Sequence, residues 1–266
     1  MIATLKEHWQ LFLVALQFFT RLPVPEIPHF SGAMLNASAR YFPMVGIVVG
    51  ALSALTLWLC AQVLPMPIAA LLAILVSILV TGAFHEDGLA DTFDALGGAV
   101  SRERALVIMK DSRIGTYGAV ALLFSQIIRW QALVFLPLEV GLVVLVASHA
   151  AARAGAVSLM VSLSYVRDTD DSKSKPIAQE LSRAALLASL VLGVIPAIVF
   201  SLLFSAKVTI VMAAGVAALI AIRFYCNHWF KKRLGGYTGD TLGCAEQLGE
   251  IGFLLAACVV CLHWQA

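Results

Sequence analysis

Charged side chains are scarce in this chain of 266 residues. Asp, Glu, Lys and Arg make up 13% of it, whereas 61% is hydrophobic. A water-soluble domain is about half apolar and about a quarter charged, so this composition excludes a single soluble core. A membrane is the solvent in which so much apolar surface can stay uncovered. The net charge of +2 gives no general attraction to nucleic acid.

Several sequence markers are also missing. Cys258 and Cys261 form one CxxC pair, but no second pair or histidine cluster accompanies it, so we interpret the five cysteines as small apolar helix residues. The N-terminal residues lack a short apolar core followed by a cleavage site, and we expect no cleavable signal peptide. The glycine-rich segment 235–250 lacks the Lys-Ser ending of a P-loop.

Apolar runs long enough to cross ~30 Å of hydrocarbon recur along the chain. A shorter run, Leu11 to Phe19, ends at Arg21 and nearby prolines, and it predicts an interfacial or re-entrant helix. We therefore expect an all-α, polytopic membrane helix bundle in which residues 1–266 form one domain. The longer runs predict about seven transmembrane helices, near residues 42–63, 66–84, 118–136, 139–162, 184–204, 208–228 and 249–264.

The charges indicate how the bundle is oriented. Short turns alternate with the long charged segments 85–117, 163–183 and 229–248. Most Lys and Arg residues lie before the first span or in these segments, and only Lys207 lies on the other side. The positive-inside rule then places the long segments in the cytoplasm of a bacterial cell, with the spans in its inner membrane. We expect 163–183 to be a solvated loop.

The densest group of acids lies in HEDGLADTFDALGG, residues 85–98. Asp87, Asp91 and Asp94 are spaced i, i+4, i+7, which places them within an arc of about 60° on one helix face. Such carboxylates repel one another unless a divalent cation lies between them, and their oxygens suit Mg²⁺ or Mn²⁺. The pattern predicts a metal site, with Glu86 about 100° off the stripe as a further ligand. The alternative is an acidic, solvated helix end.

Basic residues follow in MKDSRIGTYG, residues 109–118. Lys110 and Arg113 could bind phosphate as a point charge and as a fork, respectively. Gly115 and Gly118 would permit close approach of the backbone. The alternative is ordinary positive charge flanking a span.

A third polar segment is GGYTGDTLGCAEQLGE, residues 235–250. Thr238 and Asp240 lie in what we interpret as a glycine-rich turn that could contact a phosphate or nucleotide. Glu246 and Glu250 share a helix face, and they could complete a metal site or merely favour a helix N-terminus.

Two arginines, Arg129 and Arg153, lie inside apolar runs, where a charge is costly and is a functional candidate. Arg153 could bind substrate, or it could be a structural counter-ion for the acidic stripe.

These motifs together resemble one known family. HEDGLADTFDALGG, MKDSRIGTYG and GYTGDTLG, in this order, are similar to the signatures of the cobalamin 5′-phosphate synthase family. FFTRLPVP at 18–25 and YFPMVGIVVG at 41–50 resemble its N-terminal signatures, so the likeness runs from about residue 10 to residue 250. Ala95 and Cys244 depart from the family's more usual Gly and Ala, and neither change removes a ligand.

The resemblance implies an enzyme of late vitamin B12 assembly. It would join adenosylcobinamide-GDP to α-ribazole, or to its 5′-phosphate, and release GMP. The implied cofactor is Mg²⁺, and the implied surroundings are membrane lipid. A homo-oligomer, or a complex with other corrinoid-pathway enzymes, stays open as a further partner.

Site residues follow from the same resemblance. The family is distantly similar to CDP-alcohol phosphotransferases, and by that analogy Asp87, Asp91 and Asp94 are metal ligands. One of them would also take a proton. We favour Asp94, beside Gly97 and Gly98 where the stripe ends, with Asp91 as the other catalytic candidate. The expected contacts to substrate or phosphate are Lys110, Arg113, Thr238, Asp240 and Arg153.

Three other classes fit less well. A CDP-alcohol phosphotransferase carries DxxDGxxAR…GxxxDxxxD, and here no Ala-Arg follows and the second aspartate pair is missing. A cation-coupled transporter using Asp91 would place its acids near the bilayer midplane, whereas these lie at the end of a span. A prenyltransferase would need DDxxD-type motifs, which the sequence lacks.

Overall fold

A computed structural model describes residues 4–27, 30–166 and 181–265, so most of the loop expected at 163–183 lies outside the described residues. Across these ranges the regular structure is helical, and a 3₁₀ turn at Ala39–Tyr41 joins the second helix to the third. The helices are α1 (Leu5–Phe19), α2 (Gly32–Ser38), α3 (Phe42–Ala61), α4 (Met66–Thr81), α5 (Phe84–Gly97), α6 (Arg102–Ile108), α7 (Thr116–Phe135), α8 (Leu138–Ser162), α9 (Arg183–Leu203), α10 (Ala206–Leu234) and α11 (Gly239–Gln265).

The expected all-α membrane bundle is confirmed. Among the described residues, six helical segments are long and apolar enough to cross a membrane: α2 with α3, and α7 to α11. The pair α4 and α5 makes a seventh if it is counted as one broken span. The chain is therefore a multi-pass membrane protein.

Helix α1 begins six residues earlier than the apolar run suggested. A capping box starts it: the Thr4 amide donates to Glu7 Oε2 at 2.6 Å, and the Glu7 amide donates to Thr4 Oγ1 at 3.3 Å. The helix ends at Phe19, ahead of Arg21 and the prolines, as expected. Its 15 residues span about 22 Å, too little to cross the hydrocarbon.

The expectation of a long loop at 229–248 was wrong. Helix α10 continues to Leu234 and α11 begins at Gly239, so only four residues lie between them. Gly235 ends α10 in the left-handed conformation, with φ of 74°. Hydropathy marks where a helix stops being apolar, not where its hydrogen bonds stop, and both helices extend beyond their apolar stretches. Asp240 and the two glutamates that follow it are thus helical residues.

A sharp bend separates α4 from α5. Gly82 and Ala83 both have positive φ, 68° and 60°, and the two helix axes differ in direction by 89°. The chain therefore leaves the span and turns across the end of the bundle. The amide of Arg21 holds this turn by donating to the Val80 carbonyl at 2.8 Å. The acidic helix is consequently not a continuation of the membrane span.

Helix α8 is the centre of the bundle, with 83% of its most apolar window buried. It packs closely on α3 because Gly46 and Gly50 let the two backbones approach. A Cβ atom on Gly46 would overlap the carbonyl oxygen of His149. Just after the C-terminal end of α8, a parallel bridge joins Tyr165 to Tyr237, with Val166 N–H donating to the Tyr237 carbonyl at 3.0 Å. This bridge ties the end of α8 to the α10–α11 turn.

We expect Gly46→Ala to destabilise the protein by about 1–3 kcal/mol, because the added methyl group forces α3 away from α8. Gly141→Ala is the matched control, since its Cβ would meet Leu57 and Leu133 at 3.6 and 3.9 Å, ordinary contact distances. Thermal unfolding in detergent, followed by circular dichroism, measures both. Equal melting temperatures for the two variants would contradict close α3–α8 packing.

Candidate active site

Helix α5 carries the acidic stripe at the end of the bundle. Asp87 is exposed, and Asp91 and Asp94 are half-buried, while Leu89 and Ala90 on the other face are buried. The helix ends at Gly97, as the sequence predicts. In the part of the chain that is described, the three carboxylates do not converge into a ready-made cluster of metal ligands. They share a helix face but do not all point at one centre.

Asp94 serves as a cap for helix α7. Its two carboxylate oxygens accept hydrogen bonds from the amides of Gly115 and Gly118, at 2.7 and 2.8 Å. An anion at this position satisfies free amides of the first turn and interacts favourably with the helix dipole. A Cβ atom on either glycine would overlap the carboxylate. The two glycines of RIGTYG, expected to admit a phosphate, are therefore occupied by Asp94.

The basic segment is held beside α5 by this cap. Arg113 lies two residues before Gly115, at most about 7 Å of chain away. Its guanidinium, which is exposed, binds Asp111, with Nη2 2.6 Å from Oδ2. These hydrogen bonds lower the pKa of Asp111 to about 2. Lys110 is also exposed, so both basic side chains face the outside, where a phosphate could reach them.

The start of α11 packs against α5. A Cβ atom on Gly88 would lie 2.7 Å from the carbonyl oxygen of Asp240, so the HEDG and TGD motifs are in direct contact. Thr238 is buried and caps α11: the Thr241 amide donates to its hydroxyl at 3.2 Å, and its own amide donates to Thr241 Oγ1 at 2.9 Å. Thr238 is therefore engaged in holding the helix start, whereas Asp240 is half-buried at the edge of the site.

Inside the bundle, Arg129 connects three helices. Its guanidinium, only 2% exposed, lies 3.4 Å from Glu86 Oε1 on α5 and 3.0 Å from Glu250 Oε2 on α11. It also donates to Ser77 on α4 at 3.4 Å. Glu86, expected to join the metal ligands, instead points into the bundle and pairs with this arginine. The ion pair between Glu86 and Arg129 thus holds the acidic helix α5 to α7 inside the bundle.

Arg153 makes the matching connection from α8. Its Nη1 atom lies 2.6 Å from Glu246 Oε1 and 3.3 Å from Glu250 Oε1. His149 contacts Glu250 one turn earlier on α8, and His85 at the start of α5 lies 3.9 Å from Glu246. Of the two roles expected for Arg153, the structure places it as a counter-ion, but for the α11 glutamates rather than for the stripe. Its contact with substrate stays a prediction.

The residues His149, Glu246 and Glu250 have the composition of a metal site, with ligand atoms within 4.8 Å of one another. A guanidinium already lies among these side chains, because Arg153 Nη1 is 2.6 Å from Glu246 Oε1, 3.3 Å from Glu250 Oε1 and 3.4 Å from His149 Nδ1. A guanidinium there supplies the positive charge that a metal would supply. We therefore interpret the group as part of the buried ionic cluster.

This ionic cluster consists of Glu86, Arg129, His149, Arg153, Glu246 and Glu250. Sequence reasoning found both arginines, because a charge in an apolar run is conspicuous. It left the two α11 glutamates undecided and missed His149. The signal for these residues was their helical spacing: Glu246 and Glu250 at i, i+4 face His149 and Arg153, also at i, i+4, on the neighbouring helix.

A divalent metal fits the outer face of α5 with a smaller set of ligands than expected. Asp87 and Asp91, one helical turn apart on this face, are its best carboxylate candidates, because Glu86 points into the bundle toward Arg129 and Asp94 is directed at the α7 amides. Mg²⁺ usually binds through one or two carboxylates, with waters and substrate phosphates completing its shell. Two aspartates beside an exposed basic segment meet that requirement.

Comparison with known proteins gives a consistent result. Residues 11–258 match the family described as cobalamin-5-phosphate synthase. A protein of Leptothrix cholodnii is 47% identical over 258 residues, covering 96% of this chain and 97% of its own length. Proteins of Shewanella baltica and Shewanella frigidimarina are 43% and 44% identical, covering 92% and 91% of this chain and 94% and 91% of their own. All three are named adenosylcobinamide-GDP ribazoletransferase. No solved structure gives a significant match.

We expect Arg129→Met to destabilise the protein by roughly 3–5 kcal/mol, because it leaves the buried Glu86 without its counter-ion and removes one of the two guanidinium groups at Glu250. Arg223→Met is the control: Arg223 is half-buried and bonds to the serines Ser158 and Ser162, with no carboxylate partner among the described residues. Its loss should cost about 1 kcal/mol or less. Chemical denaturation in detergent micelles compares the two. A loss no larger in Arg129→Met than in the control would show that the cluster contributes little.

Proposed function

The chain belongs to the cobalamin-5-phosphate synthase family, and from this membership we propose that it joins adenosylcobinamide-GDP to α-ribazole, or to its 5′-phosphate, with release of GMP. The observation that carries the proposal is the family match over residues 11–258, together with relatives at 43–47% identity that are named adenosylcobinamide-GDP ribazoletransferase. The contact between the α5 and α11 motifs supports it, because segments 150 residues apart meet at one site.

The chemistry assigned to the site is transfer at a diphosphate. A hydroxyl oxygen of ribazole attacks the phosphorus on the cobinamide side, a new P–O bond forms, and the bond to GMP breaks. The hydroxyl proton passes to a carboxylate, and GMP leaves with the bonding electron pair. Mg²⁺, when held by Asp87 and Asp91, would neutralise charge on the diphosphate.

Asp91 is the better candidate for the proton acceptor. Asp94 accepts two amide hydrogen bonds, which occupy one lone pair on each oxygen and hold the carboxylate against the start of α7. Asp91 lies one turn before it, half-buried on the same face. We therefore move the catalytic role to Asp91 and assign Asp94 to fixing α7 and the basic segment against α5.

Lys110 and Arg113 are proposed to bind the diphosphate. Arg113 would exchange Asp111 for a phosphate, and this exchange is cheap because an exposed ion pair contributes only about 0–1 kcal/mol. Asp240, at the start of α11, would complete the edge of the site. Because the positive charges concentrate at this end of the bundle, we propose that it faces the cytoplasm of a cell whose inner membrane holds the protein.

The direct test is release of GMP. The protein, purified into nanodiscs, is incubated with adenosylcobinamide-GDP, α-ribazole 5′-phosphate and Mg²⁺, and GMP is measured by chromatography. We expect GMP and a corrinoid product in equal amounts, and no GMP when the ribazole is left out. Folded protein that releases no GMP under these conditions would overturn the proposal.

Two isosteric variants separate the roles of the aspartates. Asp91→Asn should reduce GMP release at least 100-fold, because an amide neither takes the proton nor holds a cation well. Asp94→Asn should lose less activity, about tenfold, because its one amide oxygen still accepts one of the two α7 hydrogen bonds while the other is lost. Glu139→Gln, at an exposed acid in the first turn of α8, is the control and should be unchanged. If Asp94→Asn lost more activity than Asp91→Asn, the catalytic role would return to Asp94.

A further inference from the structure

A narrow cavity enters the α5 end of the bundle, and four sequence motifs meet at its walls. Phe19 comes from FFTRLPVP, Phe42 from YFPMVGIVVG, His85 from the acidic motif and Gly239 from the TGD motif. These segments are far apart in the chain, and none of the proposed catalytic aspartates lines the cavity. A shared surface of this kind is expected where several segments contact one ligand.

The side walls are flat and aromatic. The rings of Phe19 and His85 are stacked, with centroids 5.5 Å apart and planes 10° apart. Phe42 contacts Phe19 edge-on, and Phe84 contacts both Phe19 and His85. Walls of this kind favour a flat ring, because aromatic faces gain from stacking.

The floor is charged and incompletely satisfied. Arg153 and Glu246 both line the cavity, and they are 3% and 1% exposed. Arg153 Nε donates no hydrogen bond within the described residues, and Glu246 Oε1 accepts no well-aligned one, although Arg153 Nη1 lies 2.6 Å away. Buried polar groups of native proteins nearly always have partners. A guanidinium N–H without a hydrogen bond, beside a carboxylate oxygen whose close ion pair is poorly aligned for one, points to a ligand that supplies both an acceptor and a donor.

We propose that this cavity binds the guanine base of the nucleotide, with the Glu246 carboxylate accepting from the ring N–H and amino groups and Arg153 donating to the ring oxygen or nitrogen. Guanine offers both kinds of group on a flat ring, namely acceptors at O6 and N7 and a donor at its 2-amino group. A benzimidazole linked to ribose offers no N–H donor to a carboxylate. The assignment therefore rests on the proposed function for the presence of a guanine nucleotide, and on the cavity floor for the choice of base.

This placement agrees with the position of the phosphates. Gly239 is the first residue of α11 and lies at the cavity wall beside Asp240. A nucleotide with its base at Glu246 would direct its phosphates toward the start of α11, where free amides and the helix dipole favour an anion. Gly239 lies seven positions before Glu246 on α11, which corresponds to a rise of about 10 Å along the helix axis. The phosphates would then lie next to the acidic face of α5.

The cavity is narrow without a ligand. Its volume of about 30 Å³ holds one or two water molecules, so a bicyclic ring needs a wall to move. Phe84 is the wall residue best placed to do so, because it is 38% exposed and sits at the bend between α4 and α5. We expect its ring to turn outward when the base enters.

Gly239 gives a clean way to test the site, because a Cβ atom there meets nothing within 4 Å. Gly239→Leu should obstruct the cavity, and Gly239→Ala is the matched control. The Kd of GMP is measured by titration calorimetry on protein in nanodiscs, with IMP, which lacks the 2-amino group, and α-ribazole 5′-phosphate measured in parallel. Melting temperatures report whether each variant is folded.

We expect IMP to bind at least tenfold more weakly than GMP to the unchanged protein. Gly239→Leu should weaken GMP binding at least tenfold and leave ribazole phosphate binding within threefold, and Gly239→Ala should change neither by more than threefold. Equal binding of GMP and IMP, or indifference of GMP to Gly239→Leu, would overturn the proposal. Loss of ribazole phosphate binding in place of GMP binding would overturn it in favour of the other ring.

The same experiments separate this inference from the proposed function. One outcome is that the protein releases GMP from the two substrates but binds GMP and IMP equally, with no effect of Gly239→Leu on GMP binding. That result would support the proposed function and overturn the cavity assignment. Protein that releases no GMP, yet binds GMP over IMP in a manner blocked by Gly239→Leu, keeps the cavity assignment and loses the function.

Discussion

The pairing of Arg129 and Arg153 with the α11 glutamates is the interaction on which the rest of the structure depends. Isolated charges in an apolar interior cost several kcal/mol each, and pairing offsets that cost only when the geometry is good. Here each arginine contacts more than one carboxylate: Arg129 reaches Glu86 and Glu250, and Arg153 reaches Glu246 and Glu250. The cluster therefore joins α5, α7, α8 and α11 in one register, since a shift of any of these helices would leave a buried charge unpaired.

The ion pairs inside the bundle fix how α5 is rotated about its axis, and this rotation determines which of its side chains are exposed. Glu86 points inward to Arg129, so the stripe that begins at Asp87 points outward along the same helix. Asp94 then captures the start of α7, and the basic segment before it is fixed next to the stripe. The sharp bend at Gly82 and Ala83 makes this possible, because a straight continuation of α4 would have carried these carboxylates away from α11.

Sequence patterns predicted the spans, the family and the segments that meet at the site, but not the partners of its charges. Seven apolar runs correspond to seven helices, because a span needs about 20 apolar residues whatever surrounds it. The helix ends were less predictable. Helix α11 begins ten residues before its apolar run, because the cap at Thr238 sets its start and hydropathy does not detect caps. Asp94 and Gly115 are 21 residues apart, and Arg153 and Glu250 are 97 apart. No local pattern encodes contacts at those separations, so Asp94 was indistinguishable from a metal ligand.

The division of the acids into two groups explains why so acidic a helix is tolerated at the edge of a membrane bundle. The buried group holds three carboxylates and two guanidinium groups, so most of its charge is neutralised by permanent partners within the protein. The outer group has no comparable set of arginines on α5 itself, which carries no Lys or Arg between residues 84 and 97. Like charges one turn apart on a helix repel one another, and the proposed cation, bound together with a phosphate substrate, would offset that repulsion. The carboxylate that holds the fold and those proposed to bind the ligand thus lie on different faces of one helix, Glu86 on its inner face and Asp87 and Asp91 on its outer face.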